Sequence, residues 1–237
     1  MNENYFDTID SDAKAYILGF FIGDGHLCST KHNDYGIVFS QRKEDIEVLQ
    51  FIKKEIDPER KIIYVNRKTS YGGKGIYYLR ITNKHLHSTL SKLLNCTNKK
   101  TYEEFNLPKI KEEFIPSLIR GYFDSDGCIS VSSYITKRRT KYKDYMHKDM
   151  SCVWYICSKN KIILEDIQEW FLNKSVYLKI KYDSKKNFYY LRTTTKSEIN
   201  KIYLLLYNNP SFYNNRKYNK YNLVKLTPSE LWELKNS

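Results

Sequence analysis

A chain of 237 residues allows one large domain or two of modest size, and 41% hydrophobic with 15% aromatic residues can bury a core, which excludes wholesale disorder. No run approaches about eighteen apolar residues and the first twelve are polar and acidic, so neither a membrane span nor a secretory leader is expected. The formal charge of +13 points to an anionic partner, nucleic acid first, since Lys and Arg displace counterions from phosphate.

Low-GC coding also enriches Lys, Asn, Ile and Tyr, so charge alone leaves the partner open. The five cysteines (Cys28, Cys96, Cys128, Cys152, Cys157) form no C-x-x-C pair. They read as ordinary thiols of an intracellular, reducing compartment, a bacterial or phage cytoplasm or an organelle matrix.

In chain order, the first expected helix runs from Ser11 to Asp24, with Asp10 or Ser11 as N-cap and Gly25 past its end. A hairpin follows, its second strand near Tyr35–Gln41. Glu44–Ile56 has Ile46, Leu49, Ile52 and Ile56 on one face and Pro58 beyond, which predicts a second helix. Lys61–Lys68 and Ile76–Thr82 predict a second hairpin around Tyr71-Gly72-Gly73-Lys74-Gly75, and Lys84–Leu94 a third helix. After a connector over Glu103–Ile115 the order repeats. A helix with Pro116 in its first turn leads into a longer hairpin carrying Tyr134 to Met150, dense in Lys and Arg. Helices over Lys161–Leu172 and Lys196–Tyr207 flank a last hairpin within Tyr177–Arg192.

Three landmarks recur in the same order, which argues for duplication. Ile17-Leu18-Gly19-Phe20-Phe21-Ile22-Gly23-Asp24-Gly25 matches Ile119-Arg120-Gly121-Tyr122-Phe123-Asp124-Ser125-Asp126-Gly127. Tyr77-Tyr78-Leu79-Arg80-Ile81-Thr82-Asn83-Lys84 matches Tyr189-Tyr190-Leu191-Arg192-Thr193-Thr194-Thr195-Lys196. Asn98-Lys99-Lys100-Thr101-Tyr102 and Asn214-Asn215-Arg216-Lys217-Tyr218 close the two copies. The fold class is α+β, two pseudo-symmetric αββαββα halves, divided as 1–102, a connector 103–115, and 116–237.

Gly19 and Gly23 share one helical face, as do Gly121 and Ser125. Small residues at that spacing let two helix backbones press together. Asp24 and Asp126 then stand at helix C-termini, where the dipole disfavours negative charge, and they repel one another. A divalent cation between them removes both penalties, and a capping role is the alternative.

At these residues the chain resembles the LAGLIDADG homing endonucleases (meganucleases) in their single-chain, two-motif form. The resemblance implies two antiparallel four-stranded sheets forming a DNA-binding saddle, with the motif helices on the pseudo-twofold axis. It implies a monomer that cuts both strands of a long asymmetric double-stranded DNA target, leaving 3′ overhangs, in the service of intron homing. Asp24 and Asp126 map to the metal-holding acids, and the carbonyls of Gly23 and Ser125 to further ligands of Mg²⁺, with Mn²⁺ or Ca²⁺ able to occupy the site in vitro. Gln41 is a candidate for ordering the attacking water, and aligning Ser40 with Ser158 makes Lys159 its counterpart. Lys99, Lys100, Arg216 and Lys217 are candidate cations for the phosphate. Arg120 departs from the family pattern and is expected to point outward; Asp124 stands where the first motif has Ile22.

Strand alternation puts Tyr78, Arg80 and Thr82 on one face and Tyr190, Arg192 and Thr194 on its equivalent, with Leu79, Ile81 and Leu191 facing the helices. Lys179 with Lys181, and Asn66 with Lys68, also share faces. Lys137, Arg138, Arg139, Lys141 and Lys143 form the densest basic cluster, expected on phosphates. The competing reading is an intron RNA-splicing maturase on the same fold, with host intron RNA as partner. Retention of both acids favours cleavage. A non-cleaving regulator lacks residues for an added helix-turn-helix domain, the chain ends carry no splicing blocks, and the five scattered histidines disfavour a zinc or His-Cys nuclease.

Overall fold

In the computed structural model, which describes residues 1–29, 35–66, 75–97 and 103–236, the first motif forms α1 (Asp12–Asp24). Ser11 caps it, its Oγ accepting from the Lys14 N–H at 3.3 Å. The chain continues through β1 (Gly25–Ser29), β2 (Tyr35–Gln41), a 3₁₀ turn (Lys43–Asp45), α2 (Ile46–Ile56), β3 (Ile62–Val65), β4 (Ile76–Thr82) and α3 (Lys84–Leu94). The second pass gives α4 (Ile115–Asp126), β5 (Gly127–Arg139), β6 (Asp144–Ser158), α5 (Lys161–Asn173), β7 (Lys179–Asp183), β8 (Phe188–Thr193) and α6 (Lys196–Leu206). Two more helices follow, α7 (Asn215–Asn222) and α8 (Pro228–Asn236). Neither is among the elements expected from the sequence, where Asn214–Tyr218 reads only as a polar, basic closing segment. Their apolar anchors are sparse, chiefly Tyr221, Val224 and Leu231, so helical periodicity is faint and tertiary support decides.

The strands build two antiparallel four-stranded sheets of the same order, β1-β2-β4-β3 and β5-β6-β8-β7. Alternation sets the layers. Ile37, Phe39, Leu79 and Ile81 are fully buried under α2 and α3, which contribute Val48, Leu49, Ile52, Leu86 and Leu90. In the second sheet Ile129, Trp154, Ile156 and Leu191 do the same against Ile163, Ile167 and Phe171 of α5 and Ile199 and Ile202 of α6. No described helix is long and apolar enough to cross a membrane.

Between the sheets lie α1 and α4. Ala15 through Ile22 are buried without interruption, so α1 is a central helix, apolar on every side. A Cβ on Gly19 would overlap the Leu118 carbonyl, and one on Gly121 the Tyr16 carbonyl. Only glycine admits so close an approach, and the reciprocity of the two positions makes the seam nearly twofold.

Arg120, expected to point outward, is among the most buried side chains in the protein. Its Nη2 pairs with Asp12 Oδ2 at 2.8 Å, Nη1 donates to the Leu206 carbonyl at 2.6 Å, and Nε to the Phe212 carbonyl at 3.0 Å. A guanidinium can be buried when each edge of its fork finds an acceptor. Here it ties the start of α1, the end of α6 and the segment before α7 into one joint.

Candidate active site

Each motif helix runs straight into the first strand of its sheet. Asp24 and Asp126 are the last helical residues, and Gly25 and Gly127 are already extended (φ −82° and −91°). The N–H groups of these glycines return to the carbonyls of Phe21 and Phe123, closing each last turn.

The seam then crosses the two ends. Asp24 lines a cavity of about 470 Å³ with Ser125 and Cys128 from the second motif region and with Gln41, Arg216 and Lys217. Asp126 lines a smaller one, about 60 Å³, with Ile22 and Gly23 of the first motif and with Ser158 and Lys159. A Cβ built on Gly23 would lie 3.0 Å from Asp126 Oδ2. Each carboxylate therefore faces the penultimate residue of the opposite helix.

Gln41, at the end of β2, is 8% exposed and donates from Nε2 to Asp24 Oδ2 at 2.6 Å. Its expected counterpart needs correcting. Gln41 stands opposite Tyr77, and the residue opposite the matching Tyr189 is Ser158. The hairpin registers agree, because Gly25 pairs Phe39 as Gly127 pairs Ile156. Ser158 is thus the structural equivalent of Gln41. Lys159 is one residue further on, in the same cavity as Asp126, its Nζ 5.6 Å from the Phe188 ring centre.

Lys217 is turned inward. Its Nζ donates to the carbonyls of Phe123, Asp124 and Gly127, each at 2.7 Å, and of Ser125 at 3.2 Å. It is an ammonium cap on the C-terminus of α4, where the dipole favours positive charge. Burial pushes it below the ordinary lysine value, against the pull of Asp124 and Asp24. The Ser125 carbonyl expected to serve a metal already meets this cation.

Beside it, Asp124 is fully buried. Its Oδ2 accepts from the Tyr16 hydroxyl at 2.9 Å and the Asn214 N–H at 2.8 Å, and Oδ1 has no hydrogen-bond partner among the described residues. Burial raises this carboxyl above the usual range, opposed mainly by Lys217. The sixth motif position thus anchors the segment that delivers Lys217.

Arg216 lines the wall of the larger cavity but is held by a partner the sequence reading missed. Its Nε and Nη2 grip Asp45 at 2.9 and 2.8 Å. Asp45 also accepts from Asn214 Nδ2 at 2.8 Å and pairs with Arg42 at 3.3 Å. Burial would raise its carboxyl, and Arg216 and Asn214 outweigh that and hold it low. Its place just before α2 reads as a helix cap, yet it makes no cap hydrogen bond. The other two expected cations, Lys99 and Lys100, lie outside the described residues, as does Lys68.

The strand faces divide as alternation requires. Tyr78 and Arg80 lie across from the buried Leu79 and Ile81, and Thr82 ends the same row. On the second sheet, Tyr155, Arg192 and Lys179 form one cross-strand row, and Cys157, Tyr190 and Lys181 the next. Thr194 lies just past β8 and Asn66 just past β3, both exposed. Lys141 and Lys143 sit in the tight turn between β5 and β6. The basic cluster is not one surface. Lys137 and Arg139 share the rear face and pair with Asp144 at 2.9 and 3.0 Å, whereas Arg138 is on the front.

Two open sheets, a glycine-pressed helix seam and an acid at each helix end define a LAGLIDADG-type fold. The chain is similar to the LAGLIDADG homing endonucleases, in the form that carries both motifs on one polypeptide. The family model described as "LAGLIDADG endonuclease" matches residues 119–227, beginning within the second motif. The homing endonuclease I-DmoI of Desulfurococcus mucosus is 25% identical over 207 residues, spanning 83% of this chain and 88% of the relative. Among solved structures, the I-LtrWI LAGLIDADG homing endonuclease bound to target DNA matches with a TM-score of 0.63 and 16% identity, covering 99% of this chain and 98% of that one. I-DmoI in complex with DNA and Ca matches at 0.57 and 20% identity, covering 88% and 96%.

Proposed function

We propose that this chain is a site-specific DNA endonuclease, acting as a monomer, that cuts both strands of one long asymmetric duplex target and leaves 3′ overhangs. The observation that carries the reading is the crossed pair: Asp24 beside Ser125 and Asp126 beside Gly23, at the C-terminal end of one parallel seam. Carboxylates placed against the helix dipole cost stability, so they call for a chemical role.

The donor set fits Mg²⁺. It offers hard oxygens from two carboxylates and the main chain, in few enough numbers that waters and phosphate oxygens complete the shell. Among the described residues no cluster of three His, Cys, Asp or Glu offers a closed site of the structural kind. When bound, such an ion lowers the pKa of water and stabilises charge on the scissile phosphate and leaving 3′-oxygen. Asp24 and Asp126 would each hold such an ion for one strand. The Gln41 amide fixes the rotamer of Asp24 and leaves its carbonyl oxygen to orient a water. Lys159 supplies positive charge on the Asp126 side. Lys217 holds the end of α4, and with it Asp126, in register.

The test is cleavage of a target recovered from a randomised duplex library, in Mg²⁺ and in chelator. Asp24→Asn and Asp126→Asn are each expected to lower double-strand cutting by on the order of a hundredfold or more, with DNA binding retained. Undiminished cutting by either variant would refute these roles. Specific binding of intron RNA with no duplex cutting would put a splicing maturase in place of this reading.

A further inference from the structure

The two sheets begin alike and end unequally. Among the described residues β1 pairs with β2 from Gly25–Phe39 to Ser29–Tyr35, while β5 pairs with β6 in one unbroken register from Gly127–Ile156 to Arg139–Asp144. At about 3.3 Å per residue the longer arm carries its tip roughly 40 Å from the seam. A bare two-stranded ribbon of that length is only marginally stable. Here α8 braces its rear: Leu231 is buried, Lys235 Nζ donates to the Val131 carbonyl at 2.7 Å, and Lys148 pairs with Glu233 at 3.5 Å.

The unbroken register fixes which side chains face forward. Even-numbered residues of β5 share the face of Cys128, which lines the cavity of Asp24. Thr136 and Arg138 are on that face, and so, across the ladder, are His147 and Asp149. Arg138 Nη2 donates to Asp149 Oδ1 at 2.7 Å, Thr136 Oγ1 donates to Asp149 Oδ2, and His147 Nε2 lies 3.5 Å from Oδ1.

A carboxylate on a face that meets phosphates repels them. Its presence is explained if it holds the arginine in place. It fixes one edge of the guanidinium, so less side-chain freedom is lost on binding, and the rest of the fork can meet guanine O6 and N7. We propose that Arg138 reads a guanine in the major groove roughly ten base pairs from the seam, with Asp149 and Thr136 as positioning residues. Recognition then extends farther on the side of the second sheet than on the first. The proposal rests on the endonuclease reading above.

The unaltered chain, Arg138→Ala, Arg138→Lys and Asp149→Asn are each used to select from one duplex library randomised along its whole length, and base frequencies are compared by position. The expected result is an outlying guanine preference that falls about tenfold or more in both Arg138 variants and by a smaller factor in Asp149→Asn, with base preferences at the other positions unchanged. Uniform weakening at all positions with a reduced salt slope in Arg138→Ala makes this a phosphate contact and overturns the proposal. An unchanged preference in Asp149→Asn overturns the positioning role. A selected motif with no outlying guanine sinks this inference alone, whereas selection of no motif at all by the unaltered chain sinks the endonuclease reading with it.

Discussion

At the end of α1, Asp24 bonds the Gln41 amide and shares a roomy cavity with Arg216 and Lys217. At the end of α4, Asp126 sits in a tight one with Ser158 and Lys159. The helices that carry these acids are nearly superposable in motif and mutual contact; the side chains around them are not. Close backbone approach tolerates one solution, so both copies keep it, while the polar surroundings can be met by different residues. The largest source of the difference is α7, which brings Lys217 onto the end of α4 and reaches across to Asp45 of the other repeat.

Removing that cap should have the largest effect. Lys217→Met leaves the last carbonyls of α4 without their donor and Asp124 without its main compensating charge, and is expected to cost roughly 3–5 kcal/mol, read from the urea midpoint. Next come the seam glycines. Gly19→Ala and Gly121→Ala each drive a methyl group into a backbone carbonyl and should cost at least about 1–3 kcal/mol, equally for the two positions. Gly23→Ala should cost a comparable amount, because the added methyl meets not only the Ser125 hydroxyl but also the Ser125 Cβ at 2.6 Å, which is fixed to the backbone and cannot rotate away. A large gap between Gly19→Ala and Gly121→Ala would break the twofold description of the seam.

Catalytic asymmetry is tested strand by strand. Gln41→Ala should slow cutting of one strand about ten- to a hundredfold and Lys159→Ala the other, seen as opposite nicked intermediates on end-labelled duplex. Equal slowing of both strands by either variant would mean that the two surroundings act as one. The smallest expected effect is on acid stability. Burial would raise the carboxyl of Asp12, but Arg120, Ser117 and Ser211 outweigh it and hold it below the ordinary value. A depressed folded-state pKa stabilises above the unfolded value near 3.9 and loses that contribution as pH falls through the folded one. Asp12→Asn should therefore lower the urea midpoint at neutral pH and flatten its decline between about pH 5 and 2.

The two motifs, the strand faces and the glycine seam were legible in the sequence because each depends on local spacing. Leu79, Ile81 and Leu191 are buried where alternation puts them. Arg120 was misread for the opposite reason. A charged residue on a motif helix is expected in solvent, and its acceptors, on Asp12, Leu206 and Phe212, lie far away in sequence. Lys217 and Arg216 were recognised as candidate functional cations, but their direction was hidden, since the carbonyls and the carboxylate that claim them belong to other elements. The counterpart of Gln41 was displaced by one residue because Ser40 and Ser158 look alike, and only pairing with the repeated tyrosines fixes the frame.

Because Gly25 and Gly127 pass from helix to strand with no intervening loop, Asp24 and Asp126 are each joined to the first strand of their sheet as one stiff lever. On the proposed function, a DNA sequence that fails to seat the strand would also tilt the acid away from its phosphate. Discrimination between right and wrong sites would then be exercised twice, once in holding the DNA and again in breaking it.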